Sequence, residues 1–307
     1  MDLVIETESV TGGYGFTMVL HALSLGVPRA SIYGFLGPNG AGKTTALRML
    51  LGLLRPVSGE IRLFGRRLPD ALPAVLQRVG SLIEQPSLYE HLTGRENLEI
   101  ARRLRGLERR DAERAIESLG MRDYAGNPVE QYSRGMRQRL GVAIAVLGAP
   151  ELVLLDEPMN GLDAGGLETF RSVLQHMQQE YGTTFLVSSH QLDELDLVAT
   201  HIGIMNGDGE LLFQGTRQEL SERVPQELRI EVDHPVDALR VLAANGHAAH
   251  SRREHLLIYG ATRETAREVN RLLVEHHIGV HRLAIELATL EQLFVEVTGA
   301  VTAGGVR

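Results

Sequence analysis

Apolar and polar positions along this chain fall into three kinds of period. The runs "SIYGFL" at 31–36, "ELVLLDEP" at 151–158 and "TTFLVSSH" at 183–190 are continuous rather than alternating, and each is β-compatible. In the second, Leu152 to Leu155 reads as a parallel strand buried on both faces. Helical spacing follows in "TTALRMLLGLL", which closes at Gly52 and Pro56. It returns over Gly135 to Leu147, with Leu140, Ala143, Ile144 and Leu147 on one face, Ser133 at the N-cap, and Gly148 and Pro150 as stops. Residues 88–148, rich in Arg, Glu and Leu at that spacing, predict a helical subdomain. Residues 1–30 and "GEIRLFGRRL" predict an antiparallel β portion, with "PVSG" at 56–59 as the turn before it, and "MNGDGELL" at 205–212 predicts a hairpin.

Beyond about residue 222 the pattern starts afresh. "ELRIEVD" alternates, "VDALRVLAANG" is helical up to Gly246, "HLLIYGA" is a strand and "REVNRLLVEHHIGV" a second helix. "HRLAIELA" alternates again, and "TLEQLFVEVTG" opens with a capping box from Thr289 to Gln292. The order β, α, β, α, β, α predicts a compact α+β unit over 223–307, on the lines of a ferredoxin-like fold.

Composition narrows the function classes. With 307 residues the chain has room for one large or two unequal domains. A net charge of -8 argues against general binding to nucleic acid. In "RRLRGLERRDAER" arginines alternate with acids and no aromatics interleave, as on a solvated helical face. The absence of cysteine excludes disulfides and cysteine-based zinc sites. His247, His250, His255, His276, His277 and His281 have no acid or cysteine partner at a metal-binding spacing. No run of 18 apolar residues occurs, and the start "MDLVIETESV" has no leader pattern. The expectation is a soluble, cytoplasmic chain whose membrane role, if any, comes through a partner.

Candidate chemistry begins with Lys43, the only lysine in the chain. Between strand and helix, Gly37, Gly40, Gly42, Lys43 and Thr44 match G-x-x-x-x-G-K-[ST], so Gly37, Pro38, Asn39, Gly40, Ala41, Gly42, Lys43, Thr44 and Thr45 form the candidate ATP-binding loop. Glycines let successive N–H groups converge, and the helix N-terminus adds its positive end. Lysine is a compact charge on a flexible stem, whereas the wide guanidinium that replaces it everywhere else would not fit the nest. "ELVLLDEP" then ends in two carboxylates: Asp156, with Thr44, would hold Mg2+, and Glu157 would act as general base on the attacking water. "TTFLVSSH" ends in His190. The three strand ends should meet at one rim, where ligands bind in open α/β sheets.

With "QYSRGMRQRLGVAIAVLGAP" the chain resembles the ATP-binding cassette family of transporter ATPases, over residues 1 to about 220. The family's LSGGQ signature appears as "YSRGM", keeping Ser133 and Gly135, with Arg134 in place of a glycine and Met136 closing the motif. The resemblance makes Asp163 of "NGLD" the D-loop residue, His190 the switch histidine and Tyr14 of "TGGYGF" the aromatic that stacks on adenine. It implies an α/β fold with a RecA-like core, an antiparallel β subdomain and a helical subdomain, with the nucleotide-binding domain at 1–222 and an accessory domain at 223–307. It implies ATP and Mg2+, a homodimer in which Ser133 and Gly135 reach the ATP of the other subunit, and a separate membrane permease holding the chain at the cytoplasmic face. Relatives read about L-P-Q-E-P where this chain has "LIEQP". Anchored on Pro86, Glu84 takes the glutamine's position as a catalytic and Mg2+-reaching residue; a one-residue slip would give that role to Gln85. Glu84 together with "YSRGMRQRL" resembles the exporters of bacitracin, lantibiotics and related peptides. An exporter of another drug, lipid or polysaccharide, and a soluble cassette acting on ribosomes or DNA, stand as alternatives.

Overall fold

A computed structural model describes residues 2–190, 192–223, 226–252, 255–286 and 294. Its contacts divide the chain into two compact units, 1–216 and 217–307.

The first unit begins with three antiparallel strands, β1 (Leu3–Tyr14), β2 (Thr17–Leu23) and β3 (Gly26–Pro28), and runs into β4 (Ile32–Leu36) and helix α1 (Lys43–Leu50). Strands β5 (Ser58–Leu63) and β6 (Arg66–Arg67) then return to the antiparallel sheet, whose order is β2-β1-β5-β6 with β3 also on β1. A short helix α2 (Leu72–Leu76) leads to β7 (Val79–Leu82). Helices α3 (Gly94–Leu104), α4 (Arg109–Ser118) and α5 (Arg134–Val146) follow, the first started by a full capping box between Thr93 and Glu96. The chain re-enters the main sheet through β8 (Leu152–Asp156), α6 (Ala164–Tyr181), β9 (Thr184–Ser189), α7 (Leu192–Asp196), β10 (His201–Met205) and β11 (Leu211–Thr216).

That sheet has the order β11-β10-β4-β9-β8-β7 and is parallel except for β11, which forms the predicted hairpin with β10. Every residue of β4, β8 and β9 is buried. Burial on both faces explains why these strands read as continuous apolar runs. The antiparallel sheet and α1 share one core with the main sheet, in which Val4, Ile5, Leu20, Phe35, Leu47, Leu154 and Leu186 pack together. Parallel pairing brings the C-terminal ends of β4, β8 and β9 to a common rim, with Asp156 beside Ser188 and Leu36 beside Ser189.

The second unit opens with helix α8 (Arg217–Arg223), which the sequence reading had kept with the first domain. Strand β12 (Glu227–Val232), helix α9 (Pro235–Ala244), strands β13 (Ala249–Arg252) and β14 (His255–Tyr259), helix α10 (Arg263–Glu275) and strand β15 (Val280–Glu286) follow. The sheet order is β13-β14-β12-β15, antiparallel throughout. This corrects the expected alternation: the order is βαββαβ, the ferredoxin-like arrangement, with one strand that the pattern did not reveal. "AHSR" carries no alternating apolar pair, because β13 is an edge strand bonded to β14 alone. Leu228, Ile230, Leu242, Leu256, Val269 and Leu273 form the unit's own core. The helix expected from Thr289 lies outside the described residues. Among the described residues no helix is long and apolar enough to cross a membrane.

Candidate active site

The loop from Gly37 to Thr45 leaves β4 and turns into α1. Gly40 and Gly42 both have positive φ, 86° and 92°, a conformation that side chains on a Cβ rarely adopt. A Cβ on Gly42 would also stand 2.6 Å from a methyl of Leu20. Gly42 is the N-cap of α1, and no side chain caps that helix. Its first N–H groups therefore depend on an outside acceptor. Lys43 is buried, and its Nζ donates to the carbonyls of Gly37 at 2.7 Å and Pro38 at 3.2 Å. Burial lowers its pKa, and the nearby Glu157 and Asp156 partly offset that shift. The loop thus holds a desolvated cation with two acids close by.

Asp156 ends β8, where its carboxylate accepts from Thr44 Oγ1 at 2.7 Å and from Ser188 Oγ at 2.5 Å. Glu157 follows at φ 47°, an uncommon conformation for a residue other than glycine. Its backbone N–H donates to Ser188 Oγ at 3.0 Å. Its carboxylate lies 3.6 Å from Lys43 Nζ and 2.7 Å from His190 Nδ1. Lys43, Thr44, Asp156, Glu157 and His190 therefore form one connected cluster, tied together by Ser188. The last residue went unnoticed in the sequence, although its place two before His190 on a parallel strand puts it beside Asp156.

Ser133 caps α5 by accepting from Met136 N at 3.2 Å. Gly135 is required by close approach, since a Cβ there would stand 2.7 Å from the Gly161 carbonyl. The methylenes of Arg134 lie over Gly161 itself. Asp163 caps α6 through Gly166 N at 2.9 Å and accepts from Arg139 at 2.6 Å. Those two hydrogen bonds, the backbone one first, hold its pKa below the ordinary value. Buried Gln138 donates to the Pro158 carbonyl at 3.1 Å. Gln138 and Arg139, unremarked in "RGMRQRL", fasten α5 to the segment after β8.

Tyr14, half exposed at the end of β1, accepts from Arg48 Nη1 at 2.5 Å. Glu84 has φ 62°, and its carboxylate pairs with Arg48 Nη2 rather than with the Thr44–Asp156 pair. Glu84 and Gln85 both line a cavity of about 550 Å3 with Arg134, Gln138, Asp156 and Glu157. Arg48, one helical turn beyond Thr44, was not singled out in the sequence.

Residues 20–160 match the family model described as ABC transporter. The bacitracin transport ATP-binding protein BcrA of Enterococcus faecalis is 38% identical over 309 residues, covering 100% of this chain and 99% of its own. The daunorubicin/doxorubicin resistance ATP-binding protein DrrA of Streptomyces peucetius is 32% identical over 306 residues, covering 96% and 92%. Among solved structures, a dimeric bacterial ABC transporter cassette superposes with a TM-score of 0.61 at 26% identity, over 69% of this chain and 98% of that one.

Proposed function

The chain belongs to the ABC transporter family as one of its ATPase subunits, and on that premise we propose that it powers export of an antimicrobial peptide, or a similar amphiphilic compound, through a separate membrane permease. The observation that carries the ATPase assignment of residues is the pinning of Glu157 between Lys43 and His190. A general base must be held at a fixed place within reach of the attacking water, and these two contacts fix where the Glu157 carboxylate stands. Lys43 and the uncapped start of α1 would bind the triphosphate, with Tyr14 under the base. Thr44 and Asp156 present hard oxygen donors 2.7 Å apart, a set that suits Mg2+. When bound, that ion would neutralise charge on the phosphates. His190 orients the Glu157 carboxylate, and Ser188 fixes the backbone from which it projects.

Two such chains in a head-to-tail homodimer would complete the site, with Ser133 and Gly135 of each facing the other's ATP. The dimeric solved relative supports this assembly. Glu84 stands where coupling to the permease would run, with Gln85 as the neighbouring candidate. The peptide cargo rests on the full-length similarity to the bacitracin transport protein. A second reading, export of another drug, is favoured by the similarity to the daunorubicin/doxorubicin resistance protein along nearly the whole chain. Expressing the chain with its permease and measuring survival in bacitracin and in daunorubicin separates the two.

The residue assignment is tested by Glu157→Gln. This change should keep ATP binding, slow hydrolysis about a hundredfold or more, and accumulate an ATP-bound dimer on size exclusion. Wild-type phosphate release in that variant rules Glu157 out as the base.

A further inference from the structure

One side chain joins two parts of the nucleotide site that the sequence separates. Arg48 lies on α1, and the two ends of its guanidinium serve different partners. Nη1 donates to the Tyr14 hydroxyl at 2.5 Å, and Nη2 donates to the Glu84 carboxylate. The guanidinium carbon also stands 5.7 Å from the centroid of the Tyr14 ring, within cation–π range. Tyr14 ends a strand of the antiparallel sheet, whereas Glu84 follows the edge strand β7 of the main sheet. Among the described residues, no other side chain with hydrogen bonds to both was found.

We propose that Arg48 is a positioning residue that fixes Tyr14 for the purine base and ties that platform to the state of Glu84. The inference rests on the nucleotide reading above and adds a part to it. An exposed tyrosine ring on a hairpin is free to rotate, and stacking on a base requires that freedom to be given up. Arg48 removes it beforehand by holding the hydroxyl and facing the ring. The same planar fork detains the Glu84 carboxylate on a residue whose backbone is already in the left-handed region. Because one rigid group makes both bonds, any departure of Glu84 from Arg48 alters the support of Tyr14. The bond to the Tyr14 hydroxyl raises the arginine's pKa, consistent with a shared and permanently charged fork. A lysine at 48 would keep the charge and lose the fork, so it is the informative substitution.

The test compares two ligands on the purified full chain by titration calorimetry: ATP, and inorganic tripolyphosphate, which has no base. Arg48→Lys should weaken ATP about fivefold, the worth of one net hydrogen bond, and leave tripolyphosphate within about twofold. In chains that keep Arg48, Tyr14→Phe and Glu84→Gln should act on ATP affinity non-additively by at least about twofold. In the Arg48→Lys background they should be additive. A parallel loss of both ligands assigns Arg48 to the frame of the phosphate loop and overturns the proposal. So does unchanged ATP affinity in Arg48→Lys, or additivity of the two substitutions with Arg48 in place; this last arm decides even if Arg48→Lys does not fold. A wild-type chain that binds neither ligand overturns the nucleotide reading itself. Binding of both ligands by wild type, abolished by Lys43→Ala, upholds that reading whatever Arg48 does.

Discussion

Helices α1 and α5 both begin at the candidate nucleotide machinery, and they begin in opposite ways. α1 starts from Gly42 in the left-handed region, has no side-chain cap, and carries the buried Lys43 as its first residue. α5 starts from an extended Ser133 whose hydroxyl satisfies the N–H of Met136, and arginines at 134, 137 and 139 follow. Every helix start exposes orphan N–H groups and a partial positive charge. An end that leaves them unmet is unstable unless an anion resides there. An end with its own cap is stable alone and can take an anion from outside as an addition. On the proposed reading, α1 is the resident phosphate seat and α5 the seat offered to another subunit.

The largest effect should come from closing the first seat. Gly42→Ala forces a Cβ into a backbone at φ 92° and against Leu20. Strain of ~1–3 kcal/mol, paired with displacement of the loop's donors, should weaken ATP binding about thirtyfold or more. Calorimetric titration beside a thermal melt separates loss of the seat from loss of the fold. Near-normal affinity would mean that α1's free N–H groups are not where phosphate binds, and the contrast with α5 would collapse.

A smaller and differently shaped effect is expected at the second seat. Ser133→Ala removes the α5 cap and should cost about 1 kcal/mol of stability. ATP binding to the isolated chain should stay within about twofold, because Ser133 commits its hydroxyl to Met136 and not to the loop. Hydrolysis should fall about tenfold and should not recover as protein concentration rises. If ATP affinity of the isolated chain falls as far as in Gly42→Ala, the two helix starts act within one chain and the division of labour between them is wrong.

The contrast also marks what could be read from sequence. The phosphate loop, the acids ending β8, and the Ser133 cap are local: a few neighbouring residues specify both the shape and the chemistry. Features that depend on residues far apart in the chain were hidden. Ser188 acquires its role only by lying beside Asp156 across the sheet. Arg48 acquires its role from two partners, 34 and 36 residues away. The positive φ of Glu84 and Glu157 has no local signal, because acids, unlike glycine, do not advertise that conformation. Strand β13 failed to appear for a related reason: at the sheet edge Ala249 is only half-buried and His250 and Ser251 are exposed, so no alternating apolar pattern marks it.

The smallest expected effect concerns the position where the signature departs from its family. Arg134 is the first residue of α5, and its methylenes cover Gly161 while the side chain lines the cavity with Glu84 and Glu157. The phosphate-facing groups on the proposed reading are the Ser133 hydroxyl and the Gly135 N–H, and a glycine at 134 keeps both. Arg134→Gly should therefore cost a few tenths of a kcal/mol from lost cover and a looser first turn. In a chain of this size that lowers the melting temperature by roughly 0.5–1 °C. Hydrolysis should remain within about threefold of wild type, well above the Ser133→Ala level, in the same phosphate-release assay. A loss as deep as that of Ser133→Ala would place the Arg134 guanidinium among the phosphate contacts, and α5 would then resemble α1 in carrying its own cation to the seat.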